Sequence, residues 1–136
     1  MNTKTINQTA ILDCVPETAY NAWMDSKQHG EMTSGKAKID PKVGGKFTAM
    51  DGNIEGEIIE LDPKKYKIVQ SWRAEKDKWP KNHFSKITVQ FLPNGANQTK
   101  VEFEQNDIPE EYEEDVRQGW KDFYWTSMEK YFSSNV

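Results

Sequence analysis

Residues 109–132, PEEYEEDVRQGWKDFYWTSMEKYF, decide how the rest of this 136-residue chain is read. An acidic turn (Glu110, Glu111, Glu113, Glu114, Asp115) opens into Val116, Gly119, Trp120, Phe123, Tyr124, Ser127, Met128 and Tyr131. Those positions recur at steps of three and four, so the spacing predicts one long helix with a wide aromatic face. Such a helix needs a broad apolar surface to lie on, and a single curved sheet supplies one. Asp107 with Glu110 three residues later reads as a capping box, and Pro109 as a first-turn residue.

Upstream the pattern is mainly strand. Ile6, Ala10 and Leu12 alternate with polar residues over 3–13, as in a half-buried strand. Pro16 fits a helix start, Val15, Ala19, Ala22 and Trp23 give a short apolar face, and a second helical turn is expected over 28–33. Strands are then expected over 36–39, 46–50, 54–61, 66–73, 84–92 and 98–105. Asp51-Gly52 and Pro93-Asn94-Gly95 mark hairpins. Gly44-Gly45 reads as a tight turn before a curved strand, and Gly56 as a bulge or a close approach by another element. Hairpins without intervening helices make the run antiparallel and exclude a doubly wound parallel fold. The class is α+β, in one domain over residues 1–136.

The charge is uneven. Residues 94–136 hold four basic and ten acidic residues, against eight and six over 53–93. A pI near 5.3 and an acidic terminal helix argue against a nucleic-acid partner. The acidic turn reads first as compensation of the helix dipole, and otherwise as a surface for a basic partner. No apolar run reaches the length of a membrane span and no signal-peptide stretch is visible, so no membrane partner and a cytoplasmic location are expected. The single cysteine, Cys14, cannot form an internal disulfide and suits a reducing compartment.

No catalytic motif stands out. His29 and His83, the only histidines, are expected in loops or at loop edges, without the paired spacing of a metal site. No metal, cofactor or catalytic residue is nominated. Cys14 reads as an inert thiol, and Gly44-Gly45 lacks the surroundings of a phosphate loop. Glu55 and Glu57 alternate with isoleucines and are expected to face solvent. Phe47, Trp72, Phe91, Phe103, Trp120 and Tyr124 are expected to meet between sheet and helix, either as a solid core or as the lining of a ligand cavity. Trp79 lies in a charged loop, either tucked beneath it or exposed as a partner anchor. Lys76, Lys78 and Lys81 accompany it as partner-surface candidates.

Taken together, VPETAYNAWMD, IDPKVGGKFTAMDGNIEGEIIELDP, KIVQSWR, WPKNHFSKITVQF, TKVEFEQNDIP and GWKDFYW resemble the family of the C-terminal domain of the activator of Hsp90 ATPase, a branch of the START/Bet v 1-like superfamily. The resemblance covers residues 5–132. It implies a helix-grip fold: a curved antiparallel sheet wrapped around a long C-terminal helix, with one or two short helices after the first strand. It also implies a cavity for apolar ligands between sheet and helix, closest approach of the two at Gly119-Trp120, and Tyr124 in the lining. The chain begins at the first strand of the C-terminal-type domain. The N-terminal domain of the eukaryotic activator is therefore expected to be absent, and full activation of the ATPase is not expected of this chain alone. Three functions are in play: a module docking on an Hsp90-type chaperone, a carrier or sensor of a small hydrophobic ligand, and an enzyme of the cyclase or hydrolase type. The last needs a titratable group inside the cavity, for which Gln70 is a poor substitute.

Overall fold

A computed structural model describes residues 1–74 and 79–133. The elements run β1 (Thr3–Leu12), α1 (Pro16–Met24), α2 (Ser26–Thr33), β2 (Lys38–Ile39), β3 (Lys46–Ala49), β4 (Ile54–Asp62), β5 (Lys67–Ala74), β6 (Ser85–Pro93) and β7 (Thr99–Pro109). The chain closes in a helix of three continuous parts: α3 (Glu113–Gly119), a π-helical segment (Trp120–Trp125) and α4 (Thr126–Ser133).

The strands form one seven-stranded antiparallel sheet in the order β1-β7-β6-β5-β4-β3-β2. Two-residue alternation puts one row per strand on the covered face. Ile68, Gln70 and Trp72 come from β5, Ile87, Val89 and Phe91 from β6, and Val101, Phe103 and Gln105 from β7, all buried. Register shifts interrupt the ladder at Lys4/Ile6 in the edge strand β1 and at Ile58/Glu60 in the interior strand β4. Gly56 stands opposite Phe47. A Cβ there would run into the Ser71 carbonyl oxygen and lie 2.8 Å from the Phe47 ring, so this strand position excludes any side chain. Gly44 has a φ of 85°, the left-handed turn before β3.

Four details depart from the sequence reading. First, the capping box does not form: β7 continues through Pro109, pairs with Thr3 and Lys4, and carries Asp107 at a φ of 61°. A 3₁₀ turn over Glu110–Tyr112 then leads into α3, and no side chain caps either start. Second, the inward face of the terminal helix is Val116, Trp120, Tyr124, Trp125, Met128 and Phe132, while Phe123 is 53% exposed. The π turn causes this: one extra residue puts Trp120 and Trp125 on the same side and rotates Phe123 outward. Third, Val15 is an exposed residue before α1, and Tyr20 and Met24 complete the buried face instead. Fourth, His29 is a buried helical residue of α2, not a loop residue.

Candidate functional site

Beneath the terminal helix pack three indoles, Trp23, Trp120 and Trp125, and the N–H group of each finds an acceptor on the sheet. Trp23 of α1 stacks at 9° on Trp120 and at 21° on Trp125, with centroids 6.3 and 6.4 Å apart. A buried indole N–H without an acceptor would be costly. Trp23 Nε1 donates to Gln70 Oε1 at 2.8 Å, Trp120 Nε1 to Gln105 Oε1 at 2.7 Å, and Trp125 Nε1 to Gln8 Oε1 at 2.7 Å. Three strands thus each supply one glutamine to one tryptophan. The Gln105 amide then donates to Ser85 Oγ, and that hydroxyl donates to the Trp72 carbonyl, each at 2.8 Å. One chain of hydrogen bonds therefore runs from the helix through β7 and β6 to β5.

His29 is held from two sides. Its Nδ1 lies 2.8 Å from the Trp23 carbonyl, which can only accept, so Nδ1 carries the proton. Nε2 then accepts from the Tyr124 hydroxyl at 2.8 Å. Burial lowers the imidazole pKa below its ordinary value, partly countered by the bond to Trp23, and burial raises that of the Tyr124 phenol. The pair is neutral and polar, locked between α2 and the helix.

At one end this packing opens into a cleft of ≈ 320 Å³. Ile54, Trp72 and Ala74 line it from the sheet, Met50 and Asn53 from the β3–β4 turn, and Asp115, Val116, Gly119, Trp120, Phe123 and Tyr124 from the helix. The turn is set by unusual backbone, with Met50 at φ 50° and Asp51 at φ 62°. The Asp51 carboxylate accepts from the Lys36 amide at 2.8 Å and holds it there.

Of the six aromatics singled out for a cavity, Trp72, Trp120 and Tyr124 line this cleft. Phe47, Phe91 and Phe103 lie elsewhere in the buried core, Phe103 only 4.3 Å from the Trp120 ring. Gly119 is not a point of close helix–sheet approach. A Cβ on it would meet nothing nearer than the Phe123 ring at 4.0 Å, because its outward side faces the cleft. Trp79 is not exposed: it is 3% accessible, stacked on Tyr112 at 17° and edge-on to Trp72. Its carbonyl accepts from Arg73 Nη2 at 3.2 Å. With aromatic neighbours on both sides the ring is buried, so it offers no anchor to a partner. Lys81 is exposed, and Lys76 and Lys78 lie outside the described residues. Glu55 is half-buried and Glu57 exposed. Burial and the nearby Asp13 carboxylate push the Cys14 thiol up to about 11, so it is protonated at neutral pH.

A curved antiparallel sheet closed over by a long terminal helix defines the helix-grip, Bet v 1-like class. At the level of fold alone, the crystal structure of Ara h 8.0201 is similar with a TM-score of 0.75 at 12% identity, covering 98% of this chain and all of that one. The family model for "Activator of Hsp90 ATPase homolog 1-like protein" matches residues 13–133, and the chain belongs to that family. It is 34% identical over 117 residues to the human "Activator of 90 kDa heat shock protein ATPase homolog 1", covering 86% of this chain and 33% of the relative. A Dictyostelium discoideum homologue gives 34% over 119 residues, covering 88% and 30%. The chain thus spans about a third of the length of these curated relatives. An HSP90 activator from Plasmodium falciparum, known by crystal structure, has a TM-score of 0.83 at 29% identity over 92% of this chain and 93% of that one.

Proposed function

We propose that this chain is a non-catalytic binding module that docks through its surface on an Hsp90-type ATPase. The observation that carries the reading is the packing of the indoles. Trp23, Trp120 and Trp125 stack with their N–H groups satisfied by Gln70, Gln105 and Gln8, so these three indoles leave no free donor toward a cargo beneath the helix. Recognition is then left to the outside, and the similarity to an HSP90 activator along 92% of this chain supplies the partner class.

The alternative, a carrier or sensor of a small hydrophobic ligand, rests on the cleft beside Trp72 and Trp120. At ≈ 320 Å³ it lies at the bottom of the ligand-pocket range of roughly 300–1,000 Å³. Its lining also continues to the half-exposed Phe123, so a ligand there would leave much of its surface in water. The magnitude favours docking.

The test is a titration of the purified chain into a purified Hsp90-type chaperone, reading both binding heat and ATP turnover. Saturable binding with altered turnover supports the reading. No heat and no change in turnover at large excess contradicts it.

A further inference from the structure

We propose that the cleft between the β3–β4 turn and the terminal helix seats an anchor from the partner protein: a large apolar side chain with a lysine or arginine beside it. The inference rests on the docking reading above and names the part of the surface that performs it.

The first argument is the glycine. Gly119 lies inside the terminal helix with a helical φ of −59°, so no unusual backbone requires glycine. Nor does packing, since an added Cβ would find only the Phe123 ring at 4.0 Å. Glycine in a helix interior costs about 1 kcal/mol relative to alanine. Among the described residues no contact offsets that cost, and the bare backbone keeps the cleft open to something from outside.

The second is the surface that surrounds it. Trp72 and Trp120 form an apolar floor, buried on their far sides, and Phe123 leaves a half-exposed ring on the rim. Large aromatics around a small concavity are the usual composition of an interface centre. The opposite rim is Met50, in left-handed backbone braced by Asp51 and Lys36. A wall fixed before binding lowers the ordering cost of taking an anchor.

The third is charge. The acidic start of the helix divides into two groups. Glu110 is paired with Lys4, and Glu113 and Glu114 with Arg117. Among the described residues, Asp115 and Glu111 make no ion pair; both are exposed, and Asp115 lines the cleft. An apolar floor with an unpaired carboxylate at its edge complements an apolar side chain next to a cation. The volume suits one or two side chains rather than a whole helix face.

The test compares wild type, Gly119→Leu, Phe123→Ser and Asp115→Lys for binding to a purified Hsp90-type chaperone by calorimetry. Thermal midpoint and near-ultraviolet circular dichroism serve as fold controls. Gly119→Leu places a side chain in the cleft while improving helix propensity. It should therefore weaken binding at least about tenfold with the melting temperature unchanged or raised. Phe123→Ser should weaken binding to a similar degree, and Asp115→Lys should weaken it most at low salt. If wild type binds and all three variants bind equally well, the cleft is not the seat, although docking stands. If wild type itself does not bind, the docking reading fails and this inference with it. Decanoate is titrated separately, read by tryptophan fluorescence. Its saturable uptake, abolished by Gly119→Leu while chaperone affinity is unchanged, would make the cleft a ligand site and overturn the proposal.

Discussion

His29 Nε2 sits 2.8 Å from the Tyr124 hydroxyl, joining α2 to the terminal helix by a neutral hydrogen bond buried between them. The Trp23 carbonyl fixes the proton on Nδ1, so the phenol has to be the donor. Tyr124→Phe removes that donor and leaves a buried acceptor unpaired. The expected loss is about 1–3 kcal/mol in urea unfolding, and an unchanged midpoint would contradict the assigned tautomer and bond.

The same pair gives the domain an acid-sensitive element. Burial holds the His29 imidazole below its ordinary value, so the unfolded chain takes up this proton at a higher pH than the folded one. Its contribution to stability is complete above the unfolded value of about 6.5 and is lost as pH falls. The urea midpoint should therefore decline below about pH 6.5. Chemical-shift titration should find the His29 ring still neutral at that pH. A His29 resonance that titrates at or above 6.5 would contradict the account.

Gln105 joins two parts of the sheet to the helix, accepting from Trp120 and donating to Ser85. Gln105→Leu keeps the volume but strands a buried indole N–H, so unfolding free energy should fall by about 1–3 kcal/mol or more. Adding Trp120→Phe removes the stranded donor. The double variant should then lose less than the sum of the two single losses. Strict additivity would show that the hydrogen bond is not coupled in this way.

Two glycines respond oppositely to alanine. Gly119→Ala places its methyl in the open cleft and should stabilise by up to about 1 kcal/mol. Gly56→Ala drives a methyl into the Ser71 carbonyl and the Phe47 ring, and should destabilise by at least about 2 kcal/mol. Melting temperatures that move in the same direction for both would contradict the packing described.

Cys14 should be slow toward thiol reagents. With its pKa pushed up to about 11, the thiolate fraction at pH 8 is on the order of a hundredfold below that of an exposed cysteine. A rate equal to that of free cysteine would contradict this burial.

The terminal helix and the antiparallel sheet were legible because their periods are strong. Ile68, Gln70 and Trp72, and Val101, Phe103 and Gln105, recur at steps of two, and steps of three and four run through the last segment. The exchange of Phe123 for Trp125 on the inward face was not legible. WKDFYW offers aromatics in several registers, and only the packing of three indoles selects the π turn. His29 was missed because its partners, Trp23 and Tyr124, lie 6 and 95 residues away in sequence. For Trp79 the sequence left two readings open, tucked or exposed, and the ring contacts with Tyr112 and Trp72 that decide for the first are not visible in the local pattern. The glutamine acceptors do leave a trace in the sequence. Gln8, Gln70 and Gln105 occupy inward strand positions in a chain with five tryptophans, whose buried N–H groups need acceptors.

The central claim is that recognition takes place on the surface around the cleft while the stacked interior stays as it is. It is tested most directly by nuclear magnetic resonance of the labelled chain during addition of an unlabelled Hsp90-type chaperone. The account predicts that amide signals of residues 50–53 and 111–123 shift or broaden first, while the indole N–H signals of Trp23 and Trp125 hold their positions. No perturbation at saturating chaperone, or changes led by the Trp23 and Trp125 indoles, would contradict it.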